Sequence, residues 1–555
     1  MMRIVMLVLV SASFLTSCHK PSGKQVKYIP KDAYVVFSVN SKNIIDKVSK
    51  ANVSFDSLAK MFSDGNDSSA QKAINKWDDL KSSGIDFDQP MYGFFKSGGS
   101  IMAGQSYATG FISVLKDAAA FEAFIKKQHP GADVKKGDNY SYYPLGNDNI
   151  AGWNDEVAIV ASKHAGSDAP GTYSTGEGTL SQQMLTALFA QKESESISSA
   201  EGFSEMKNDN TDMAFFVNSV NSPGLSMLDM TKMSDLTKGS YVTGTANFED
   251  GQIAVSYSGH TSDAMADLLK KYPFRSIDMS VIDKYPAQIE GLMAMSFDPQ
   301  FIPAVLKYSG MDALTNQGLQ QTGLNITLDD IIKAFKGDFA FIGSDFGMET
   351  KTISEYGGTK LPQPVTSKVP SYKLLVNAAI ADKTSYDKMA MALASKNIMV
   401  LQNGQYVFPQ MSPFVMKTTD KNLYIASSAD ILQQYETGTP KANLPADVHD
   451  MIKGKVGAFY FDINKILQVI PTTAGDQGSL DTAKATFKDF VFTADNLEGK
   501  KNTGNMLLRF VNNKENSLVT LLHFSIAERK MEMERRKNNS GMEGMMRDST
   551  ATPGP

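Results

Sequence analysis

The sequence predicts an α+β fold built as two tandem copies of one module, each a mostly antiparallel sheet with helices packed on it. Predicted strands come in neighbouring pairs joined by turns, with helices between the pairs. A doubly wound parallel sheet would need strict alternation of strand and helix, which this pattern lacks. The length of 555 residues also exceeds what one hydrophobic core usually supports, so two cores are expected.

Five pairs of segments follow the same plan in the same order in the two halves. The first segment, 29–48, alternates apolar and polar residues as a strand does, and then changes to the spacing of an amphipathic helix. Its counterpart, 285–306, repeats this change. The other pairs are 107–127 with 372–396, 155–162 with 421–428, 212–220 with 456–464, and 244–259 with 494–525.

Particular residues mark the ends of these elements. The strands that open 107–127 and 372–396 stop at Asp117 and Asp382, where a carboxylate can accept hydrogen bonds from the first helical N–H groups. The last block of the first half has two strands around a Glu-Asp-Gly turn at 249–251. In the second half, polar turns rich in Gly and Asn separate the corresponding strands.

This organisation divides the chain into five parts. A signal peptide is predicted at 1–17, a tether at 18–27, the first α+β repeat at 28–280, and the second at 284–526. A charged helix end and a disordered tail follow at 527–555, because the last residues are rich in Gly, Pro and Met.

The two copies differ most in one hairpin loop. The loop at 96–106 is short and rich in Gly and Ser, whereas its counterpart at 343–371 is much longer and holds three prolines. Loops of this length are either functional or disordered. We expect a binding partner to contact the 343–371 loop, beside a cleft between the copies, because ligand sites favour such clefts. The alternative is a disordered insertion.

The N-terminus has the features of a bacterial lipoprotein signal. Arg3 precedes an apolar run from Ile4 to Leu15, which is too short to span a bilayer as a mature helix. The sequence Leu-Thr-Ser-Cys that ends at Cys18 resembles the lipobox, and the resemblance implies that Cys18 carries diacylglycerol. Cys18 is the only cysteine of the chain, and acylation would consume its thiol. The alternative is an ordinary secretory signal with a leftover cysteine.

The expected location follows from this anchor. No other run is apolar enough to cross a membrane, so the body should be tethered by its lipid to the cell envelope of a Gram-negative bacterium. The residues after Cys18 include no acidic cluster of the kind that directs some lipoproteins to the cell surface. This favours the outer membrane, with the protein facing the periplasm. The expected partners are the membrane, through the lipid on Cys18, and an envelope protein or glycan.

Composition argues against several classes of function. Removing the signal removes Arg3, so the net charge changes from −5 to −6, which disfavours an electrostatic nucleic-acid binder. There is no P-loop or nucleophile elbow, and the six histidines are isolated in the sequence. A Ser-x-x-Lys match at 57–60 lacks the companion motifs of penicillin-binding proteins. We therefore assign no catalytic, metal-binding or cofactor-binding residue and expect no cofactor.

Two weaker signals leave enzymatic or glycan-binding roles open. Carboxylates for glycoside cleavage pair in space rather than in sequence, and the nearest local groups are at 78–79 and 86–88. Helix-surface and turn roles also explain them. The aromatic residues of 139–145 and Trp153 are of the kind that stacks on sugar rings, but aromatics on an alternating strand are more often core.

With the lipobox followed by Ile-Pro-Lys-Asp-Ala at 29–33 and by the two-copy plan, the chain resembles the lipoprotein family known as domain of unknown function 4836. The resemblance covers the chain to about residue 525 and implies no catalytic residues. We favour a non-enzymatic binding or scaffolding lipoprotein, because no coherent catalytic set is found. The alternatives are a hydrolase of envelope glycan or peptide, and a periplasmic chaperone or assembly factor.

Overall fold

One large antiparallel sheet organises the molecule. The structure, a computed structural model, describes residues 23–50, 78–100, 104–146, 148–165, 179–207, 210–222, 232–355, 363–439, 443–470 and 477–548. Within these ranges eighteen strands join into a single sheet, and a separate hairpin contains two more. All strand pairs are antiparallel, and helices pack against the sheet, so the predicted α+β class with antiparallel pairing is confirmed.

The strands are numbered in chain order. Those of the first half are β1 (Val35–Val39), β2 (Met91–Ser100), β3 (Gly104–Val114), β4 (Lys135–Lys136), β5 (Ser141–Gly146), β6 (Asn149–Trp153), β7 (Val157–Ala165), β8 (Met213–Asn218), β9 (Tyr241–Glu249) and β10 (Gln252–His260). Those of the second half are β11 (Gly291–Ser296), β12 (Phe335–Glu355), β13 (Gln363–Ile380), β14 (Val400–Gln402), β15 (Gln405–Val407), β16 (Val415–Thr418), β17 (Asn422–Ala426), β18 (Gly457–Asp462), β19 (Phe487–Ala494) and β20 (Lys501–Phe510).

The α-helices connect these strands. In the first half they are α1 (Ser41–Lys50), α2 (Ala118–Gln128), α3 (Thr179–Ala190), α4 (Met233–Thr237) and α5 (Asp263–Lys271). The rest are α6 (Met279–Asp283), α7 (Phe301–Ser309), α8 (Asp312–Gln321), α9 (Leu328–Ala334), α10 (Lys383–Ser395), α11 (Ala429–Thr437), α12 (Ala446–Ile452), α13 (Ile463–Ile466), α14 (Gln477–Thr486) and α15 (Ser517–Asp548). None in the described ranges has the length and apolarity of a membrane span.

Strand pairing runs in one unbroken path across both halves. From one edge the order is β4, β5, β6, β7, β3, β2, β1, β8, β9, β10. It continues through β20, β19, β18, β11, β12, β13, β17 and β16. The halves meet where β10 pairs with β20 along nine residues of each strand. They are therefore joined edge to edge within one sheet. The cleft that was expected between the two copies does not lie at this junction.

Two main cores lie on the same side of the sheet, one in each half. The first contains Val36, Phe94 and Ile112 from neighbouring strands, and the second contains Leu292, Ile342 and Tyr460. Because successive side chains of a strand point to opposite faces, these residues define one face, which we call the inner face. Two smaller cores lie on the opposite side, which we call the outer face. They form under α2 near β6 and β7, and under α10 near β13 and β17.

The predicted helix starts at the two aspartates are confirmed. Asp117 accepts a hydrogen bond from the N–H of Ala120 at the start of α2, and Asp382 accepts from Thr384 and Ser385 at the start of α10. Each side chain satisfies N–H groups that have no partner within the helix. These caps set the direction in which each helix leaves its strand and packs back on the outer face.

In the loops expected at 96–106 and 343–371, the residues that the structure describes are instead extensions of strands. Residues of β12 and β13 remain paired from the sheet out to Glu355 and Gln363, and β2 remains paired with β3 out to Ser100 and Gly104. The prediction of a loop at 343–371 relied on its prolines. Pro364 and Pro370 lie where β13 pairs only with β12 in the described residues, so their missing N–H groups interrupt no second ladder.

The two ends of the body also differ from the predicted boundaries. Residues 24–27, assigned to the tether, begin a 3-10 turn that buries Val26 and Tyr28 in the first core. At the other end, α15 continues to Asp548 through residues predicted as a disordered tail. The burial of Val26 and Tyr28 was not predicted because the neighbouring residues 24 and 27 are charged. Cys18 and the Ser-x-x-Lys match at 57–60 lie outside the described residues.

Candidate functional site

The outer face carries two parallel rows of apolar residues across the middle of the sheet. The rows are two residues apart along each strand, so their members share one side. Row one runs, in register, through Phe111, Gly93, Phe37, Phe215, Gly244, Tyr257, Gly504, Ala494, Gly457, Met295, Phe339 and Ala378. Row two runs through Met91, Val39, Met213, Ala246, Val255, Met506, Phe492, Phe459, Met293, Phe341 and Val376.

Glycines in row one let aromatic rings lie flat on the sheet. A Cβ built on Gly93 would overlap the ring of Phe37, and one built on Gly244 would overlap the ring of Phe215. The ring of Tyr257 lies over Gly504 in the same way and stacks on Phe492, with 6.0 Å between centroids and 3° between planes. The outer face is therefore broad and smooth, because rings cover the positions where side chains are missing.

Part of this apolar face is open to solvent. Phe111 is 57% exposed, and the paired residues Met293 and Phe459 are each 38% exposed. The smaller cores under α2 and α10 cover the outer face at its flanks, and α15 packs on it where Phe524 contacts Phe487. Side chains between these points, among them Phe37, Phe215 and Tyr257, are half-buried. Apolar surface that extends in this way usually marks a site where something binds.

At the centre of the sheet the inner side is polar and the outer side is apolar, in contrast to the two main cores, where the inner side is apolar. Thr245, Ser256 and Asn505 are paired neighbours on the inner side of β9, β10 and β20, and the last two are exposed. Ser256 donates a hydrogen bond of 2.8 Å to the side-chain oxygen of Asn505. An antiparallel sheet normally covers its apolar side and leaves its polar side in water. Here the polar inner side is open to water, so the apolar outer face is the one suited to a covering molecule.

A cleft of about 450 Å³ opens at one end of the second half, lined by α6, the ends of β11 to β13 and the β16–β17 turn. Its lining includes Met295 and Phe339 of row one, so it borders the outer face. Its polar groups include Asp278, Asp338 and Asn377. Asp278 accepts from the N–H of Ser280 at the start of α6, and Asp338 accepts from the hydroxyl of Ser296 at 2.5 Å. Asn377 donates to the hydroxyl of Tyr435 at 3.0 Å.

These bonds hold Asp278, Asp338 and Asn377 in place within the fold. The hydroxyl of Tyr435 donates in turn to the carbonyl of Val281 at 2.9 Å, and burial raises the pKa of this tyrosine to about 12. A general acid or base needs a pKa nearer the working pH. Tyr435 therefore acts as a structural hydrogen-bonding group and not as an acid or base.

The buried charges of the second half form a structural cluster. Arg509 on β20 donates to both carboxylate oxygens of Asp489 on β19, at 2.5 and 2.7 Å, and it also contacts Asp447 on α12. Asp462, directly opposite Asp489 on β18, has its pKa raised by burial. Although the fold brings these carboxylates together, Arg509 occupies both oxygens of Asp489.

The carboxylates singled out in the sequence make ion pairs and hydrogen bonds within the fold. Asp79 accepts from the side chains of Lys127 and Gln128 on α2. Asp86 and Asp88 both pair with the same ammonium group, that of Lys116. Each therefore fixes a local turn or helix contact.

The aromatic residues considered for sugar stacking are core. Tyr140 and Tyr142 are buried in the first core, and Trp153 is buried in the smaller core under α2. In the described part of the chain, no group of three histidine, cysteine or carboxylate residues is placed to hold a metal ion. Sequence reasoning missed the outer face, although the alternation of apolar residues with glycine along β2, β9 and β20 was a signal for it.

The family described as domain of unknown function (DUF4836) matches residues 25–518. The chain belongs to this family. The DUF4836 match spans all eighteen strands of the main sheet and ends at the start of α15, which confirms the expected resemblance. The family description names no activity.

Solved structures similar to this chain include crystal form III of TP0453, with 12% identity, a TM-score of 0.23, and coverage of 45% of this chain and 87% of that one. Crystal form IV of TP0453 has 13% identity and the same TM-score, with coverage of 43% and 81%. A comparison with proteins of curated function finds no match.

Proposed function

We propose that this DUF4836 protein is a lipid-anchored, non-enzymatic binding or scaffolding protein of the Gram-negative cell envelope. The observation that carries the proposal is the outer face, where two apolar rows cross the sheet and remain partly exposed at Phe111, Met293 and Phe459. Such a surface stabilises a complex by burying apolar area and requires no catalytic group. In the cleft, Asp278, Asp338 and Asn377 are hydrogen-bonded within the fold, which is consistent with this role.

The anchor in this proposal is the acylated Cys18, at the outer membrane and facing the periplasm. Its support is the apolar run 4–15, the lipobox-like residues before Cys18, and the absence of any other cysteine. The change Cys18→Ala should release the protein from membranes or leave its precursor unprocessed, as measured by fractionation and immunoblotting. A variant that stays quantitatively membrane-bound would refute the anchor.

The proposal includes an internal duplication, with 28–280 and 284–526 as two copies. The order of pairing supports it, because β6-β7-β3-β2-β1-β8-β9-β10 in one half matches β16-β17-β13-β12-β11-β18-β19-β20 in the other. The capped helices α2 and α10 cover corresponding strands. An experimental structure should superpose the halves strand for strand, and a different strand order in the two halves would contradict the duplication.

A second candidate function is a periplasmic chaperone or assembly factor, and the same exposed apolar face favours it. Affinity-tagged protein, extracted in detergent from its native host, separates the possibilities. A binding protein should retain one defined partner or ligand, whereas a chaperone should retain many unfolded clients. Met293→Glu should reduce either form of capture, because it places a charge on the outer face. Leu314→Glu on α8, where Leu314 is 64% exposed, is the matched control.

A further inference from the structure

We propose that the outer face binds the long acyl chains of lipids. This inference rests on the binding function proposed above and names the class of ligand for the same surface. Of the described residues in the two rows, none carries a charge, and the hydroxyl of Tyr257 is the sole polar side-chain group. An acyl chain makes no hydrogen bonds, so it loses nothing by contacting such a surface.

A protein partner would need more polar groups than the rows offer. Strands lie about 4.8 Å apart and alternate residues about 6.8 Å apart, so two rows across eleven strands cover roughly 700 Å². Protein–protein interfaces form about one hydrogen bond per 100–200 Å², which predicts roughly four to seven bonds over this area. The rows supply one hydroxyl, and a second copy of the same face would supply one more.

The shape of the face also suits flexible chains. Neighbouring strands rotate by about 20–25° relative to each other, so eleven strands accumulate a twist of roughly 200°. A rigid flat partner touches only part of such a surface, whereas a disordered hydrocarbon chain follows it. Methionines lie in both rows, and their flexible, polarisable side chains adapt to ligands without fixed shape. They are Met91, Met213, Met293, Met295 and Met506.

The test uses the full mature chain with Cys18→Ala, so that no covalently attached acyl group competes for the face. Lipids are extracted from protein purified without detergent and identified by mass spectrometry. Binding of a fluorescent phospholipid with a sixteen-carbon labelled chain is then titrated. We expect co-purified acyl lipid, and at least tenfold weaker binding of the probe to Met293→Glu and to Phe459→Glu. Leu314→Glu and Leu401→Glu, which alter residues 64% and 62% exposed elsewhere, should bind like the parent.

Circular dichroism and thermal melting must first show that the outer-face variants fold like the parent. If folded outer-face variants bind the probe as tightly as the controls do, the inference is wrong. If the parent carries no lipid but Met293→Glu loses a protein partner in the tagged extraction, the acyl inference fails and the proposed binding function survives. If Met293→Glu only converts a dimer to a monomer, the face is an interface between copies. If it changes none of these readouts, both proposals fail.

Discussion

Arg509 is the group whose removal should reveal how strongly the fold depends on its buried charges. In Arg509→Met the apolar stem of the side chain is kept but the guanidinium is lost. Asp489, which is 1% exposed and accepts from Arg509 through both oxygens, is then a buried carboxylate without its partner. Breaking a buried pair in this way costs about 3–5 kcal/mol. We expect the variant to lose that much unfolding free energy at pH 7.

A second substitution tests whether the loss comes from the unpaired charge. Replacing a whole buried ion pair by apolar residues of similar size is often close to neutral. Arg509→Met combined with Asp489→Leu should therefore recover most of the stability lost by the single variant. Lys126→Met, which breaks the exposed pair with Glu122 on α2, is the control and should cost less than about 0.5 kcal/mol.

The pH dependence gives an independent check. Burial raises the pKa of Asp447, but the hydrogen bond and charge of Arg509 outweigh burial and hold that pKa below its usual value. Its contribution to stability is therefore complete above the unfolded pKa of about 4 and is lost as the pH falls through the lower folded value. Arg509→Met lacks this contribution at every pH, so its deficit relative to the parent should shrink below about pH 4.

Urea unfolding followed by fluorescence, at pH 7 and at steps down to pH 3, measures these differences. A single variant that loses less than 1 kcal/mol would refute the reasoning. So would a double variant that is as unstable as the sum of both single changes, because the charge would then not be the cause.

Two further predictions concern a helix start and the outer face. Hydrogen bonding to Lys388 holds the pKa of Asp330 at about 2, so the stabilising effect of Asp330 is present above about pH 4 and is lost towards pH 2. Asp330→Asn should flatten the profile of melting temperature against pH between these values. An unchanged profile would contradict this prediction. Gly504→Val should destabilise the fold by about 1–3 kcal/mol in urea titration, because its Cβ would overlap the carbonyl oxygen of Thr493. Gly457→Ala in the same row meets only Ala494, at 3.8 Å, and should be tolerated; equal effects of the two changes would be inconsistent with this reason.

Local patterns in the sequence were enough to predict the class of fold and the starts of α2 and α10. Antiparallel pairing follows from strands joined by short turns, and Asp117 and Asp382 act within a few residues of their own position. The likeness to DUF4836 was also visible in short motifs near the N-terminus. These features depend on neighbours in the chain, so an isolated sequence records them.

The candidate site depends on residues that only the tertiary structure brings together. Phe459 and Met293 are far apart in sequence but adjacent on β18 and β11, and Tyr257 reaches Phe492 across a strand of the other half. The same reason explains the error at 343–371, where Pro364 and Pro370 suggested a loop. Whether a proline breaks a strand depends on which neighbours that strand has. The two rows of the outer face run across both halves because β10 pairs with β20. Strand order and register depend on contacts between residues that are far apart in the sequence, and the local patterns of a single sequence do not specify them.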